Sequence, residues 1–195
     1  MFIPRSSRWK DLSDDELMGR VQDGDVAAFR QLYDRYKTQL FLYCLRMVND
    51  RDAAKDVLQD IFIRIHTRRE QYKAGTNFPG WIHTIARNLC LNARRDAREH
   101  QSFDDSMPYA SAEAGNGDVA LRQRLADEIA RLPVLYREAL VLREYEDLSY
   151  QEIADTLGAT MATVKFRIFK AREMLRQRLG SSLDEYNGNT DSNRE

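Results

Sequence analysis

The stretch LSYQEIADTLGATMATVKFRIFKARE, Leu148 to Glu173, constrains the fold of this chain more than any other. Ser149 stands three residues before Glu152, the spacing of a capping box that starts a helix. Ile153, Ala154 and Leu157 give that helix an apolar face, and Gly158 supplies a left-handed stop. Thr160 is placed to cap a second helix, with Val164, Ile168, Ala171 and Leu175 inward at helical spacing. Two short helices joined by a Gly-containing turn make a helix-turn-helix, whose second member can lie in a DNA major groove. The charges agree. From Thr163 to Arg178 the cations Lys165, Arg167, Lys170, Arg172, Arg176 and Arg178 face only Glu173. Such concentration on one helix is the electrostatic footprint of phosphate contact. The plain alternative is an αα-hairpin with a solvated basic helix.

Overall composition adds little to this. A net charge of −1 over 195 residues advertises no nucleic-acid partner, so the signal lies in how charge is distributed. Arg64 to His100 carries a surplus of basic residues, from Arg64, Arg68, Arg69 and Lys73 through Arg87 to Arg98. Gln101 to Asp118 holds Asp104, Asp105, Glu113 and Asp118 with no Lys or Arg. Basic blocks split by an acidic spacer suggest two nucleic-acid surfaces on one chain. Cys44 and Cys90 fall inside apolar helical patterns without metal spacing to His66, His83 or His100, and read as buried reduced thiols. No metal or cofactor is expected. With no phosphate-cradling glycine loop and no nucleophile–base pair, the chain does not read as an enzyme. It shows neither a signal-peptide core nor a run long enough to span a membrane, and a cytoplasmic location is expected.

Scarce Gly and Pro and the absence of alternating strands predict an all-α fold. Ser13 with Glu16 starts a short helix ending near Gly24. Asp25 caps a long one with Phe29, Leu32, Tyr33, Tyr36, Leu40 and Val48 inward, stopped at Asn49. Asp50 caps the next, with Ala54, Leu58, Ile61 and Ile65 inward. After a loop, Tyr72 to Phe78, Pro79 sits in the first turn of a helix reaching about Glu99. The polar, small-residue segment 101–117 reads as a flexible linker. Helices resume near Asp118, with Pro133 starting one more. The expected organisation is two small helical domains, 14–100 and 118–180, joined by this flexible acidic linker, with a disordered tail over 181–195.

Helical projection sorts the surfaces. On the helix after Asp50, Asp52, Asp56, Gln59 and Ile63 point outward with Asp60 and Phe62 on the flanks, a face suited to a basic protein partner. On the helix after Pro79, the apolar stripe follows Ile82, Ile85 and Leu89, and Arg87, Arg94 and Arg98 fall opposite. Trp81, Asn88, Asn92 and Arg95 lie along one flank. Cations for phosphates, a ring for stacking and amides for base edges are what a nucleic-acid strand requires. In the last helix Ala162, Thr163, Phe166, Phe169 and Lys170 face out. Two outward phenylalanines predict contact with thymine methyls, another domain or an inhibitor protein.

Together these residues resemble a bacterial RNA polymerase sigma factor of the extracytoplasmic-function (ECF) group, in the sigma-70 family. DAAKDVLQDIFIRI, Asp52 to Ile65, is similar to the family's core-binding segment. FPGWIHTIARNLCLNARRDARE, Phe78 to Glu99, resembles its −10 segment. LPVLYREALVLREYEDLSYQEIADTLGATMATVKFRIFKARE, Leu132 to Glu173, resembles its −35 domain. The resemblance implies the following roles. Asp52, Asp56, Gln59, Asp60, Phe62 and Ile63 would bind the clamp helices of the largest polymerase subunit, with the polymerase flap as a further contact. Thr76, Asn77, Phe78, Trp81, Arg87, Asn88, Asn92, Arg94, Arg95 and Arg98 would serve the −10 element, unstacked bases entering the loop and the Trp81 flank. Thr160, Ala162, Thr163, Lys165, Phe166, Arg167, Phe169 and Lys170 would read the −35 duplex. Promoter DNA and an anti-sigma factor are the implied partners. The family often has a small residue where this chain has Phe166, and commonly Gly at Ala162. A stand-alone helix-turn-helix repressor or activator is the competing reading; it requires a dimerisation element and a palindromic site.

Overall fold

The structure is a computed structural model; it describes residues 11–101 and 117–191, with side chains over 11–97 and 121–180. Eight α-helices follow in order among the described residues: α1 Asp14–Gln22, α2 Val26–Val48, α3 Arg51–Thr67, α4 Phe78–Gln101, α5 Gly117–Ala130, α6 Val134–Glu144, α7 Tyr150–Leu157 and α8 Met161–Asp191. There is no strand among them.

The helix boundaries follow local chemistry. The Ser13 hydroxyl accepts the Glu16 N–H while Glu16 takes the Ser13 N–H at 2.7 Å. Asp25 accepts the N–H groups of Ala27 and Ala28 and starts α2, and Asn49, at φ 58°, ends it in the left-handed region. Asp50 then caps α3 through Asp52 and Ala53. At the other end of the chain, Ser149 and Glu152 close the predicted capping box, and Gly158 at φ 59° turns the chain out of α7. Thr160 accepts the Thr163 N–H at 3.1 Å and starts α8.

Helices α1 to α4 pack around Leu17, Met18, Leu32, Leu40, Met47, Ile61, Ile65 and Ile82, with Cys44 and Cys90 buried among them. Helices α5 to α8 pack around Ile129, Leu132, Leu140, Leu142, Ile153, Val164 and Ile168. Three expected core residues of α2 differ: Tyr33 is exposed, and Phe29 and Val48 are half-buried. Phe29 and Tyr33 are one turn apart and lean on Phe62 of α3 instead, Tyr33 with ring centroids 4.7 Å apart. Of the expected linker, 101–117, residues 102–116 lie outside the described residues, while Gln101 ends α4 and Gly117 begins α5. Helix α8 continues to Asp191, through most of the segment expected as a disordered tail; 192–195 lie outside the described residues.

The two units touch. Helices α2 and α4 of the first pack against α5, α6 and α7 of the second. Arg137, buried on α6, donates to the Met47 carbonyl at the end of α2, at 3.0 Å. The Arg46 guanidinium lies 3.7 Å from the centre of the Tyr145 ring.

Candidate nucleic-acid interface

Helix α3 turns Asp52, Asp56, Gln59, Asp60 and Ile63 to solvent, as projected. Lys55 stands 2.6 Å from Asp52 and holds that carboxyl below its usual range. Phe62 corrects the projection: it is buried, wedged between Phe29 and Tyr33. Its place is the floor of a largely apolar groove of about 650 Å³ between α2 and α3, walled by Phe29, Tyr33, Leu58 and Ile63, with Lys55, Gln59 and His66 at the rim. An apolar channel of this size is a surface for an amphipathic helix, and Asp56 and Asp60 stand exposed on α3.

The loop Tyr72 to Phe78 is held from below. The Gln22 amide donates to the carbonyls of Arg69 and Tyr72 at 2.8 and 2.9 Å. Asp15 accepts the Gly75 N–H at 3.0 Å and the Tyr72 hydroxyl, and that hydroxyl also reaches the Thr76 carbonyl. Gly75 is at φ +82°, a conformation that favours glycine. Thr76 and Asn77 stand exposed on this frame. Phe78, expected as a binding residue, is buried among Tyr36, Tyr72 and Trp81. Its aromatic bulk sets the position of Trp81, whose ring is half-buried and 5.2 Å from that of Tyr72.

Beside Trp81 opens a notch of about 140 Å³ lined by Arg64, Arg68, Gln71, Trp81, Thr84, Ile85 and Asn88. Asn88, Asn92 and Arg95 are exposed along the same edge of α4. The notch joins a ring face, amides and two guanidiniums. Side chains of these kinds are the ones that stack on a base, meet its edge and neutralise a phosphate. The sequence places Arg64 and Arg68 in a basic block without assigning them to a site, and Gln71 and Thr84 carry no signal of their own. Arg64 and Arg68 lie one turn apart in the basic run at the end of α3, and that spacing was the available signal.

Two arginines of the expected phosphate stripe are engaged elsewhere. Arg87 points at α6, its Nε 3.1 Å from the buried carboxylate of Glu138. Arg94 donates to the Met47 carbonyl at 3.2 Å, tying α4 to the end of α2. Projection of one helix shows which face avoids its own core, and not that α6 meets Arg87 there or that the end of α2 reaches Arg94. The Arg98 side chain lies outside the described residues.

On α8, Phe166 and Phe169 are 54% and 61% exposed, with Ala162, Lys165 and Met161 beside them. Thr163, Arg167 and Lys170 are half-buried, and Thr160 is exposed at the helix start. Lys170 pairs with Glu173 at 2.7 Å, which raises its pKa, and Arg172 pairs with Glu144. The outer face of α8 is therefore a basic helix carrying two bare aromatic rings.

A helical unit with a base-sized notch, joined in one chain to a basic helix-turn-helix, defines a two-surface nucleic-acid-binding protein. Comparison with known proteins makes the class definite. Residues 32–100 match the model of Sigma-70 region 2, and residues 122–175 that of Sigma-70 region 4. The RNA polymerase sigma factor CarQ of Myxococcus xanthus is 35% identical over 170 residues, covering 84% of this chain and 95% of CarQ. The ECF RNA polymerase sigma-E factor of Escherichia coli K12 is 34% identical over 180 residues, covering 84% of this chain and 93% of its own. The chain belongs to the sigma-70 family, in its ECF group, and is a promoter-directing sigma factor of RNA polymerase. Two solved structures share the fold. CnrH in complex with the cytosolic domain of CnrY gives a TM-score of 0.70 at 23% identity, over 86% of this chain and 97% of CnrH. RpoE of Bartonella quintana with the anti-sigma factor NepR gives 0.67 at 24% identity, over 80% and 98%.

Proposed function

We propose that this sigma factor divides its work between two units, 14–100 for core polymerase and the −10 element and 118–180 for the −35 element. The groove over Phe62, lined by Gln59 and Ile63, receives the clamp helices of the largest polymerase subunit together with the exposed Asp52, Asp56 and Asp60 of α3. An unstacked −10 base enters the notch at Trp81, where Asn88 meets its edge and Arg64 and Arg68 its phosphates. Flipping a base out of the stack costs about a few kcal/mol, so the pocket that receives it must supply that much. Asn92 and Arg95 continue the strand's path along α4. The outer face of α8, from Thr160 through Lys165, Phe166 and Phe169 to Lys170, lies in the −35 major groove. The chain contributes binding and no bond chemistry of its own, and acts in the cytoplasm beside polymerase. An anti-sigma protein, such as those in the CnrH and Bartonella RpoE complexes, fits the same exposed faces.

The observation that carries this reading is the notch at Trp81, because its ring, amides and guanidiniums suit a single-stranded base and not a duplex groove. Run-off transcription with purified core polymerase and genomic fragments tests it. Discrete promoter-dependent transcripts, lost in Trp81→Ala and Asn88→Ala, are the expected result. Transcripts that persist unchanged in both variants would remove the notch from the mechanism.

A further inference from the structure

Among the described residues, Phe166 and Phe169 are the two exposed phenylalanines, three residues apart on the outer face of α8. At helical spacing Ala162, Phe166 and Phe169 form one ridge, and Lys165 and Arg176, both exposed, run along one flank of it. The inner face of α8 is taken up by α5, α6 and α7, so the ridge points away from its own unit. Neighbouring rings left bare on a soluble chain mark a contact surface.

The same molecule carries a socket for such a ridge. The groove between α2 and α3, about 650 Å³, is walled by Phe29, Tyr33, Leu58, Phe62 and Ile63. Its rings already meet one another edge-on or tilted, Phe29 against Phe62 and His66, and Tyr33 on Phe62 at 4.7 Å. A further ring laid among them can adopt the same favourable arrangement. The charges are opposite to those of the ridge. Asp56 and Asp60 are exposed on α3, one turn from the lining residues Gln59 and Ile63 respectively. Lys55, the cation of that wall, is paired with Asp52 at 2.6 Å. Acids thus stand beside the socket and cations beside the ridge.

Ridge and groove lie on different units, and both stand open in one chain. A patch complementary to a pocket elsewhere on the same molecule joins copies head to tail. We propose that α8 of a second copy seats Phe166 and Phe169 in the α2–α3 groove, with Lys165 and Arg176 against Asp56 and Asp60. Each joint covers the proposed polymerase face of one copy and the proposed −35 face of the next. It leaves a free groove at one end and a free ridge at the other. Two rings and a short charged flank bury less than the about 1,000 Å² of a stable interface, so the association is weak and grows with concentration. It withdraws surplus free chain from both polymerase and DNA. The contact itself needs neither of them, so its test is separate from that of the promoter reading.

Sedimentation velocity of the full chain over a micromolar concentration series reads the association. The weight-average mass should rise above that of the monomer with concentration and fall back as salt is raised, because the flanking charges are solvent-exposed. Phe166→Glu with Phe169→Glu removes the ridge and should stay monomeric throughout. Ile63→Arg charges the groove and should do the same. All three side chains are exposed, so helicity and melting temperature should hold. Mixed in equal amounts, the two variants should form a one-to-one dimer and nothing larger, since between them they keep one groove and one ridge. An unsubstituted chain that stays monomeric at the highest concentration, a variant that associates as the unsubstituted chain does, or a mixture that remains monomeric would each overturn the head-to-tail contact. If the association behaves as expected and no promoter-dependent transcript is found, the promoter reading fails and the contact stands.

Discussion

Phe166 stands on the outer face of α8, opposite the buried Val164 and Ile168, with Lys165 and Arg167 as its chain neighbours. A bare ring on a basic helix meets little but solvent in the free chain, so Phe166→Ser should leave the melting temperature almost unchanged. If the ring packs on a thymine methyl, the same change should weaken use of the cognate promoter by about 1–3 kcal/mol and shift preference at one or two −35 base pairs. A promoter-library transcription assay with a melting curve measures both, and an unchanged base preference with an unchanged melting point would remove the DNA contact. Glu146 and His83 permit a second prediction. Burial pushes the Glu146 carboxyl up to about 7 and the His83 imidazole down to about 4. Gln39 and Arg46 of α2 and Asp147 also face Glu146, the first two opposing that rise. With the units in contact the pair therefore holds one proton, on Glu146. Opened to water, the groups return toward 4.5 and 6.5, and between those values the pair again holds one proton, now on His83. Between about pH 4.5 and 6.5 the two shifts oppose each other, Glu146 weakening the contact between the units as pH rises and His83 weakening it as pH falls, so the contact changes little there. Glu146→Gln removes the carboxyl's burial penalty, so the contact at pH 8 should strengthen. The remaining His83 should then weaken the contact as pH falls below about 6.5. Distances between spin labels at Thr38→Cys on α2 and Ala126→Cys on α5, both exposed, check both signs across a pH series; an unchanged profile in the variant would sink the assignment. Arg87 marks the limit of reading residues one helix at a time. Its exposure on the α4 projection was legible, and its partner Glu138, 51 residues away, was not.

At the scale of elements, α7 is the least self-sufficient piece. Eight residues make about two turns, too few to persist alone, so its capping box and its packing on α6 and α8 hold it. Ser149→Ala removes the hydroxyl that accepts the Glu152 N–H and should cost about 1 kcal/mol. For a unit of this size that is about 4–8 °C in melting temperature. Calorimetry should place the loss in the second unit's transition, with −35 recognition weakened and core binding intact; a loss of core binding instead would contradict the division of labour. The loop Tyr72–Phe78 is the matching element of the first unit. Asp15→Ala deletes the acceptor shared by Gly75 and Tyr72. Permanganate footprinting should then show slower strand opening while −35 affinity stays constant. Equal losses at both elements would mean that Asp15 supports the whole fold and not the loop. Caps and stops at Ser13, Asp25, Asn49, Asp50, Ser149 and Gly158 were all readable, because each acts within four residues of itself. The support under the loop was not: Gln22 and Asp15 reach it from α1 across 47 to 60 residues of chain. Phe62 and Phe78 failed for a related reason. Each lies on the border of its helix's apolar stripe, and only the neighbouring helix decides which side of that border is buried.

For the molecule as a whole, net charge and the contact between the units point the same way. The net charge is −1, and the acids of the second unit occupy part of the first unit's basic surface. Phosphate contact supplies most non-specific affinity for DNA, and each neutralised phosphate adds close to one unit to the salt dependence. With Arg87 held by Glu138 and Arg94 by the Met47 carbonyl, the first unit has two fewer cations to offer phosphates. The free protein should therefore bind duplex promoter DNA weakly, with little sequence preference and a shallow salt slope. Core polymerase should change this by occupying the groove over Phe62, so that both surfaces act on one promoter. Asp56→Arg with Gln59→Ala changes two outward side chains of α3, the second of them at that groove, and should abolish assembly with core polymerase while the melting temperature holds. Native gels with core polymerase, followed by gel shifts across a salt series with and without it, complete the test. Unimpaired assembly of the double variant would take this face out of the interface. Tight, palindrome-specific binding by the free chain would instead favour a self-sufficient helix-turn-helix regulator, since only a chain that needs no partner can bring its full cationic surface to DNA alone.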